Sequence, residues 1–320
     1  MATWLGAILV TAVLVSCGSN EQHSATPAAT LVPPRKTPAV APLLAGQWDV
    51  EPGIRVPLAS APATLKLADG SYRMYLPGLF FRSSKDGLSW TEPSRIALAE
   101  PGEMLRNPAV VQMTDRTFVM IYEDVSDEKG PNRQTRFYRA TSSDGLAFSK
   151  TTGAGANGAV LEPEPDDAGF MSAPDIIALP GGALRLYYNT ADGSFVESAH
   201  SADGGVSWRR EGAITIAGFE LRRKAADPDV IALPGAGGYR LFFAAGAVGS
   251  PTPRILSATS SDGLHFTLDA GERLSPSDSS LHRVDPEVVE TAPGVYRMYF
   301  AEAVEVAGPY SLRSALLRED

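Results

Sequence analysis

A Ser-x-Asp-Gly motif, followed three or four residues later by an aromatic residue, occurs four times and constrains the fold more than any other feature. Its aspartates stand at positions 86, 144, 203 and 262, so the intervals are 58, 59 and 59 residues. Such even spacing indicates a repeated structural unit, typical of proteins that build a ring or an array from one supersecondary motif.

Two more signals recur in fixed order in every unit. A proline opens an apolar strand at positions 62, 108, 174, 228 and 286, and an alternating aromatic strand follows at 72–75, 118–122, 184–188, 239–243 and 296–300. Proline is tolerated at the first residue of a strand, which need not donate to the ladder. Short strands separated by Gly- and Asp-containing turns predict an all-β protein, and five such units predict a five-bladed β-propeller.

The fifth unit is incomplete in sequence. A further step of the same length from Asp262 reaches the end of the chain, which leaves no room for a fifth turn and outer strand. The segment at 48–58 matches the segment at 90–98 that follows the first turn. We therefore predict that an N-terminal strand at about 47–58 completes the last blade, closing the ring and removing exposed sheet edges.

The pattern of the N-terminal residues predicts an export signal. An apolar run at 5–15 is short for a membrane span and ends in Leu14-Val15-Ser16-Cys17, which resembles the lipobox of bacterial lipoproteins. Cys17 is the only cysteine, so the chain has no disulfide framework. We predict a signal peptide at 1–16, a lipidated Cys17 opening a Pro/Ser/Ala-rich tether at 17–46, and the propeller at 47–320. Gly18 favours the outer membrane within the cell envelope.

Composition restricts the partners. The formal net charge is −9 and the basic residues are scattered, which excludes a nucleic-acid footprint. With four histidines and no Cys/His cluster, we predict no metal site and no cofactor. We expect a monomer that contacts the membrane only through its lipid anchor.

Residues 47–320 resemble the five-bladed propellers of the arabinanase, levansucrase and invertase superfamily, glycoside hydrolase family 43 in particular. The resemblance rests on the proline-opened strand, the aromatic strand and the Asp-Gly turn. The turn is also similar to the sialidase Asp-box, best matched at 201–208. We expect these turns to be structural, with the Asp and Ser side chains bonding the turn's own backbone. Ile54-Arg55-Val56-Pro57 is similar to a sialidase motif and supports a sialidase-like hydrolase as a minor alternative.

The ends of the innermost strands should surround the propeller axis, where ligands bind by default. The residues before the five prolines form the first predicted ring: Ala61, Asn107, Ala173, Asp227 and Asp285. Two residues further, on the same side of each strand, the second predicted ring follows: Ala63, Ala109, Asp175, Asp229 and Glu287.

The resemblance implies catalytic roles for some of these positions. Asp227 and Asp285 match the Asp-Pro positions that hold the base and a second aspartate in family 43. That family places its acid, a glutamate, two residues before a proline, and its base in the first blade, where this chain has Ala61. The positions two before each proline here are Ser60, Arg106, Ser172, Ala226 and Val284. The candidate acids are therefore Glu123 and Glu302, at the ends of second strands.

Two functions remain open on these residues. The first is a surface-anchored glycoside hydrolase that uses Asp227, Asp285 and one of the two glutamates. The second is a non-catalytic propeller that binds a glycan or a protein. The predicted ligand-binding residues are Asn107, Arg106, Asp175, Asp229, Glu287 and Arg283. A hydrolase requires two separated carboxyl groups facing one pocket, one of them with a raised pKa.

Overall fold

The computed structural model describes residues 45–96, 98, 105–124, 134–190, 195–220, 224–233, 237–246, 252–274, 280–305 and 308–318. The predicted signal peptide, Cys17 and most of the predicted tether lie outside these ranges. Almost all regular structure in the described part is β-strand. Short 3₁₀ helices occur at Ala156–Gly158, Pro165–Asp167 and Pro180–Gly182, and no helix described here is long and apolar enough to cross a membrane.

The strands form five antiparallel blades in chain order. Blade I contains β2 (Ala63–Lys66), β3 (Tyr72–Leu76), β4 (Phe80–Ser84) and β5 (Ser94–Arg95). Blade II contains β6 (Leu105–Gln112), β7 (Phe118–Asp124), β8 (Arg136–Ser142) and β9 (Ser149–Thr151). Blade III contains β10 (Met171–Ala178), β11 (Leu184–Thr190), β12 (Phe195–Ser201) and β13 (Arg209–Ala213).

Blade IV contains β15 (Ala225–Ala232), β16 (Tyr239–Gly246), β17 (Pro253–Ser260) and β18 (His265–Leu268), and β14 (Thr215–Ala217) adds a parallel strand to its outer edge. Blade V contains β19 (His282–Ala292), β20 (Val295–Ala303), β21 (Ser311–Arg318) and, from the other end of the chain, β1 (Asp49–Val50). The first strands of neighbouring blades contact one another in a closed cycle, including β19 with β2. The predicted five-bladed propeller is confirmed.

The predicted closure by the N-terminal segment is confirmed in a shorter form. Asp49 and Val50 pair with Leu316 and Ala315, and Val56 makes an isolated bridge to Leu312. Trp48 packs edge-on against Phe242 with ring centroids 5.8 Å apart. Trp90 and Phe148, which follow the first two turns, pack in the same way at 5.8 Å against Tyr299 and Tyr75. Trp48 thus replaces the aromatic residue of the missing fifth turn.

The prediction that proline opens the inner strand is wrong for blades II to V. In these blades the strand begins three or four residues earlier and the ladder shifts register across the proline, as between Arg106 and Ala109. The other shifts lie between Ser172 and Asp175, Ala226 and Asp229, and Val284 and Glu287. Proline is accommodated because a β-bulge leaves its residue outside the ladder.

The apolar core consists of layers between neighbouring blades. Five clusters of buried residues each combine side chains of adjacent blades, as where Tyr75 of blade I packs with Met120 of blade II. Side chains alternate along each strand and therefore lie on both faces of each sheet. Away from the rim, each blade packs against a neighbouring blade on both faces. Stability is therefore shared among five similar interfaces.

The Ser-x-Asp-Gly turns connect blades as well as strands. In blade II, Asp144 Oδ1 accepts hydrogen bonds from the Ser142 hydroxyl and from the backbone N–H of Leu146. The carbonyl oxygens of Asp144 and Gly145 accept hydrogen bonds of 2.7 and 2.9 Å from Arg73 and Tyr75 of blade I. Arg185 with Tyr187, and Arg297 with Tyr299, bond the turns of blades IV and I in the same way.

Candidate functional site

The five residues that precede the prolines adopt the same unusual backbone conformation. Their φ angles are 44° at Ala61, 42° at Asn107, 49° at Ala173, 55° at Asp227 and 52° at Asp285. Positive φ is uncommon outside glycine and costs on the order of 1–3 kcal/mol per residue. Because two of the five residues are alanines, this strain belongs to the repeated bulge and does not mark one catalytic position.

The first ring is held together by hydrogen bonds between neighbouring blades. Asp285 Oδ2 accepts the backbone N–H of Ala61 at 2.9 Å, and Asp227 Oδ2 accepts the backbone N–H of Asp285 at 3.4 Å. The N–H of Asp227 itself donates to Asn189 Oδ1 at 2.9 Å. Each acceptor lies in the blade that precedes the donor, so these polar groups join neighbouring inner strands.

The second ring repeats this arrangement one layer away. Asp175 Oδ2 accepts the N–H of Val230 at 2.8 Å, and Asp229 Oδ2 accepts the N–H of Val288 at 3.0 Å. Glu287 Oε1 accepts the N–H of Thr64 at 2.6 Å, which joins blade V to blade I. Backbone donors beside the bulges are thereby satisfied within the protein, as buried N–H groups must be.

Glu123 lies in the same network at the end of β7. Its side chain is buried, and Oε1 accepts hydrogen bonds from Asn107 Nδ2 at 2.9 Å, the Ser172 hydroxyl at 2.8 Å and the Ala173 N–H at 2.6 Å. Burial raises the pKa of this carboxyl, and these hydrogen bonds partly oppose the increase. Arg106, its cross-strand partner, adds a favourable charge.

Asn189 and Glu123 occupy equivalent positions after the aromatic strand. Asn189 is buried, and its Nδ2 donates hydrogen bonds to the carbonyls of Ala225 and Phe195. Its Oδ1 accepts the backbone N–H of Asp227 in the first ring. Our sequence reasoning did not identify Asn189. Aligning the repeats one residue past the aromatic pairs, at 123 and 189, would have found it.

The axial carboxyl groups raise one another's proton affinity. Burial raises the pKa of Asp227 well above its ordinary value, and the neighbouring Asp285 carboxylate adds to the effect. Burial also raises the pKa of Asp285, and that of Asp175 to about 7. For Asp229 and Glu287 burial comes first, and nearby carboxylates increase the shift. Burial therefore favours the protonated form of every carboxyl group in the two rings.

Glu302 and Arg283 lie apart from this network. Glu302 pairs with Arg283 at 2.9 Å and with Arg313 at 2.8 Å, in a pocket that also contains Gln47 and Asp49 of the closing segment. The Arg283 guanidinium also lies 5.7 Å from the centroid of the Phe300 ring. This ion-pair network stabilises blade V, and the structure does not bring Glu302 to the axial cavity.

The axial cavity is narrow. Its volume is about 60 Å³, and its lining includes Asn107, Asp175, Asp227, Asp285 and Glu287. Pockets for small molecules typically measure about 300–1,000 Å³. Within the described ranges, no group of three or more Asp, Glu, His or Cys side chains has the geometry of a metal site.

The Asp227 and Asp285 carboxyls are both bonded to backbone N–H groups of the following blade. Asp227 Oδ2 accepts the backbone N–H of Asp285 at 3.4 Å, and the two carboxyl groups influence each other's pKa. In retaining glycosidases the acid and the nucleophile lie about 5–5.5 Å apart, and in inverting ones the acid and the base lie about 6.5–9.5 Å apart because a water molecule must fit between the base and the sugar. The candidate acid Glu123 and both aspartates each accept a backbone N–H of the following blade, so glycoside hydrolysis would require at least one of them to leave its backbone partner.

Comparisons with known proteins identify the fold. No family model and no curated protein sequence matches the chain. A thermostable family-43 glycoside hydrolase is similar in structure, with 15% identity, a TM-score of 0.63, and 85% of this chain and 94% of that chain covered. An α-L-arabinofuranosidase from Lactobacillus brevis matches with 11% identity, a TM-score of 0.64 and coverage of 85% and 94%.

An N-acetylgalactosamine deacetylase from F. plautii, in complex with blood group B trisaccharide, is also similar. It matches with 14% identity, a TM-score of 0.60, and 85% and 93% of the two chains covered. These structural neighbours share one fold but have different activities. Sequence identities this low show a shared fold and no shared activity. The chain has the five-bladed β-propeller fold of the family-43 glycoside hydrolases.

Proposed function

We propose that the protein is a carbohydrate-recognition propeller whose axial carboxyl groups join the blades and do not cleave glycosidic bonds. The observation that carries this proposal is the pairing of Asp227 with Asp285. Asp227 accepts the backbone N–H of Asp285, and Asp285 in turn accepts the backbone N–H of Ala61 in the following blade. A carboxyl group engaged in this way is a structural element of the ring.

The structural neighbours support the choice of ligand class. Their names include a glycoside hydrolase, an arabinofuranosidase and a deacetylase in complex with a trisaccharide. The acidic residues of the two axial rings and the net charge of −9 disfavour nucleic acids as ligands. A glycan is the ligand that accords with both the fold and the charge.

A glycoside hydrolase is the second candidate, favoured by the raised pKa of Glu123 and of Asp227. A general acid must retain its proton near neutral pH, and burial provides that condition here. This candidate requires one of these side chains to leave its backbone partner when substrate binds.

We further propose that the propeller is exported and lipid-anchored through Cys17 to the outer membrane of the cell envelope. Replacement of Cys17 by Ala should move the protein from the membrane to the soluble fraction of fractionated cells. Retention of the Cys17→Ala protein in the membrane fraction would overturn this part of the proposal.

A glycan array combined with product analysis tests the main proposal. We expect the purified protein to bind at least one glycan saturably and to release no new reducing ends from it. Release of reducing ends that stops in Asp227→Asn or Glu123→Gln would establish the hydrolase. Absence of both binding and cleavage across the array would overturn carbohydrate recognition.

A further inference from the structure

A larger groove lies where the last blade meets the first. Its volume is about 450 Å³, within the typical range of about 300–1,000 Å³ for small-molecule pockets. We call it the seam groove and define it by residues 56–60, Leu76, Phe80, Arg82 and Tyr310. Residues 56–60 connect the closing strand to blade I, so the groove exists only in the closed ring.

The wall of the seam groove is apolar and partly aromatic. Phe80 is 37% exposed, and its ring lies against Gly78, where an added Cβ would come within 3.1 Å of a ring carbon. Leu58 is 80% exposed and has a φ of 54°. Phe80 and Leu58 line the same groove, and an aromatic wall of this kind suits the C–H face of a sugar ring.

Arg82 supplies a cation without a matching anion. It is half-buried, and its Nη1 donates to the Thr91 carbonyl at 2.5 Å while its Nε is buried and has no partner. No carboxylate within the described ranges forms an ion pair with Arg82, whereas Arg185 and Arg297 pair with Glu211 and Glu51 at 2.8 and 2.9 Å. A half-buried guanidinium favours a planar anion such as a carboxylate.

Tyr310 connects the groove to the axis. The charges of Asp285 and Asp227 act on it, and together with burial they raise the pKa of its phenol. Its backbone carbonyl accepts the N–H of Ala59 at 3.1 Å, which fixes the wall of the groove. The seam groove lies beside the axial cavity, because Ser60 of the groove directly precedes Ala61, which lines that cavity.

We propose that the seam groove binds a uronate unit of a glycan, with the sugar carboxylate on Arg82 and the ring against Phe80 and Tyr310. This inference rests on carbohydrate recognition as the protein's function and names its ligand class. A single cation in the groove matches the single carboxylate of one uronate unit.

Comparing each uronate with its methyl ester distinguishes the contribution of the sugar carboxylate to binding from that of contacts with the sugar ring. Binding of tetramers of galacturonate, glucuronate and mannuronate, and of their methyl esters, is measured by isothermal titration calorimetry with the wild-type protein. We expect at least one acid tetramer to bind about tenfold to a hundredfold more tightly than its ester, as a charge-assisted hydrogen bond would produce. Arg82→Gln should abolish this preference, and Phe80→Ala should weaken both forms.

Arg116→Gln is the matched control, since Arg116 is exposed in a turn of blade II and should leave both affinities unchanged. Binding of neutral glycans on the array, with no acid preference or with a preference that survives Arg82→Gln, would overturn the uronate inference and leave carbohydrate recognition intact. Failure of all three acid tetramers to bind would also overturn the uronate inference. Failure of every glycan on the array to bind would overturn carbohydrate recognition itself.

Discussion

Asp285 Oδ2 accepts a 2.9 Å hydrogen bond from the backbone N–H of Ala61, which lies 224 residues earlier in the chain. This bond joins the last inner strand to the first at the axis. At the rim, β1 joins the same two ends of the domain by pairing with β21. The ring is thus closed at the axis by the Asp285 side chain and at the rim by strand β1.

The hydrogen bond from Ala61 to Asp285 predicts different effects on stability for two substitutions of Asp285. Asp285→Ala leaves the Ala61 N–H without an acceptor and should lower the free energy of unfolding by about 1–3 kcal/mol. Asp285→Asn keeps an acceptor oxygen and removes a buried charge, so it should be neutral or stabilising at pH 8. Urea unfolding of both variants measures this difference, and equal destabilisation by Asn and Ala would contradict the structural role.

Asp175 predicts a pH dependence of stability. Its pKa is raised to about 7 in the folded protein, whereas the unfolded chain loses this proton near pH 4. The folded state binds more protons in between, so the free energy of unfolding should decrease as pH rises from about 4 to 7, by up to about 1.4 kcal/mol per pH unit. Asp175→Asn should make this slope shallower by the contribution of Asp175, while the other axial carboxyl groups with raised pKa values keep theirs.

Urea unfolding at pH 4.5, 6 and 8 tests the slope, with Asp144→Asn as control. The turn's hydrogen bonds lower the pKa of Asp144 to about 2, so its contribution should stay nearly constant over this range. The account of the second ring fails if Asp175→Asn parallels the wild-type curve at all three pH values.

The turn of blade II predicts a difference between two glycines with positive φ. A Cβ at Gly145 would lie 2.7 Å from Arg73 Nη1 and 2.8 Å from the Tyr75 hydroxyl, whereas a Cβ at Gly70 would meet nothing within 4 Å. Gly70→Ala should cost about 1 kcal/mol for the backbone alone. Gly145→Ala should cost more because it also disrupts the contact between blades, and thermal unfolding that ranks the two equally would contradict this.

Trp48 predicts the contribution of the closing segment. It is 2% exposed and packs on Phe242, so Trp48→Ala should destabilise the protein by about 3–5 kcal/mol. Ile54→Ala is the control, since Ile54 is 55% exposed and its substitution should change stability by less than about 0.5 kcal/mol. Chemical denaturation of the two variants compares them directly, and a small effect at Trp48 would show that the ring holds without this contact.

The propeller could be predicted because its signals are local. The 58–59-residue interval fixes the number of blades, and the match between 48–58 and 90–98 locates the closing strand. The bulge at each proline escaped prediction because it depends on bonds to the next blade, such as that from Val230 to Asp175. Within a repeat the sequence also places residues on a strand face, which is why Asp227 and Asp285 were expected together at the axis.

The seam groove and the position of Glu302 depend on contacts between the two ends of the chain. Arg82 and Tyr310 share a groove only after ring closure, so no local pattern reveals it. Glu302 follows an aromatic strand as Glu123 does, but it stands one position further along and pairs with Arg283 and Arg313. A shift of one residue reverses the face of a strand on which a side chain lies.

The most direct test of carbohydrate recognition without axial catalysis is product analysis of a glycan that the protein binds. The oligosaccharide with the highest affinity is incubated with wild type and with Asp227→Asn and then separated by high-resolution anion-exchange chromatography. The account predicts that both proteins return the oligosaccharide intact. Cleavage by the wild type that is absent with Asp227→Asn would contradict it and assign the axial pair to glycoside hydrolysis.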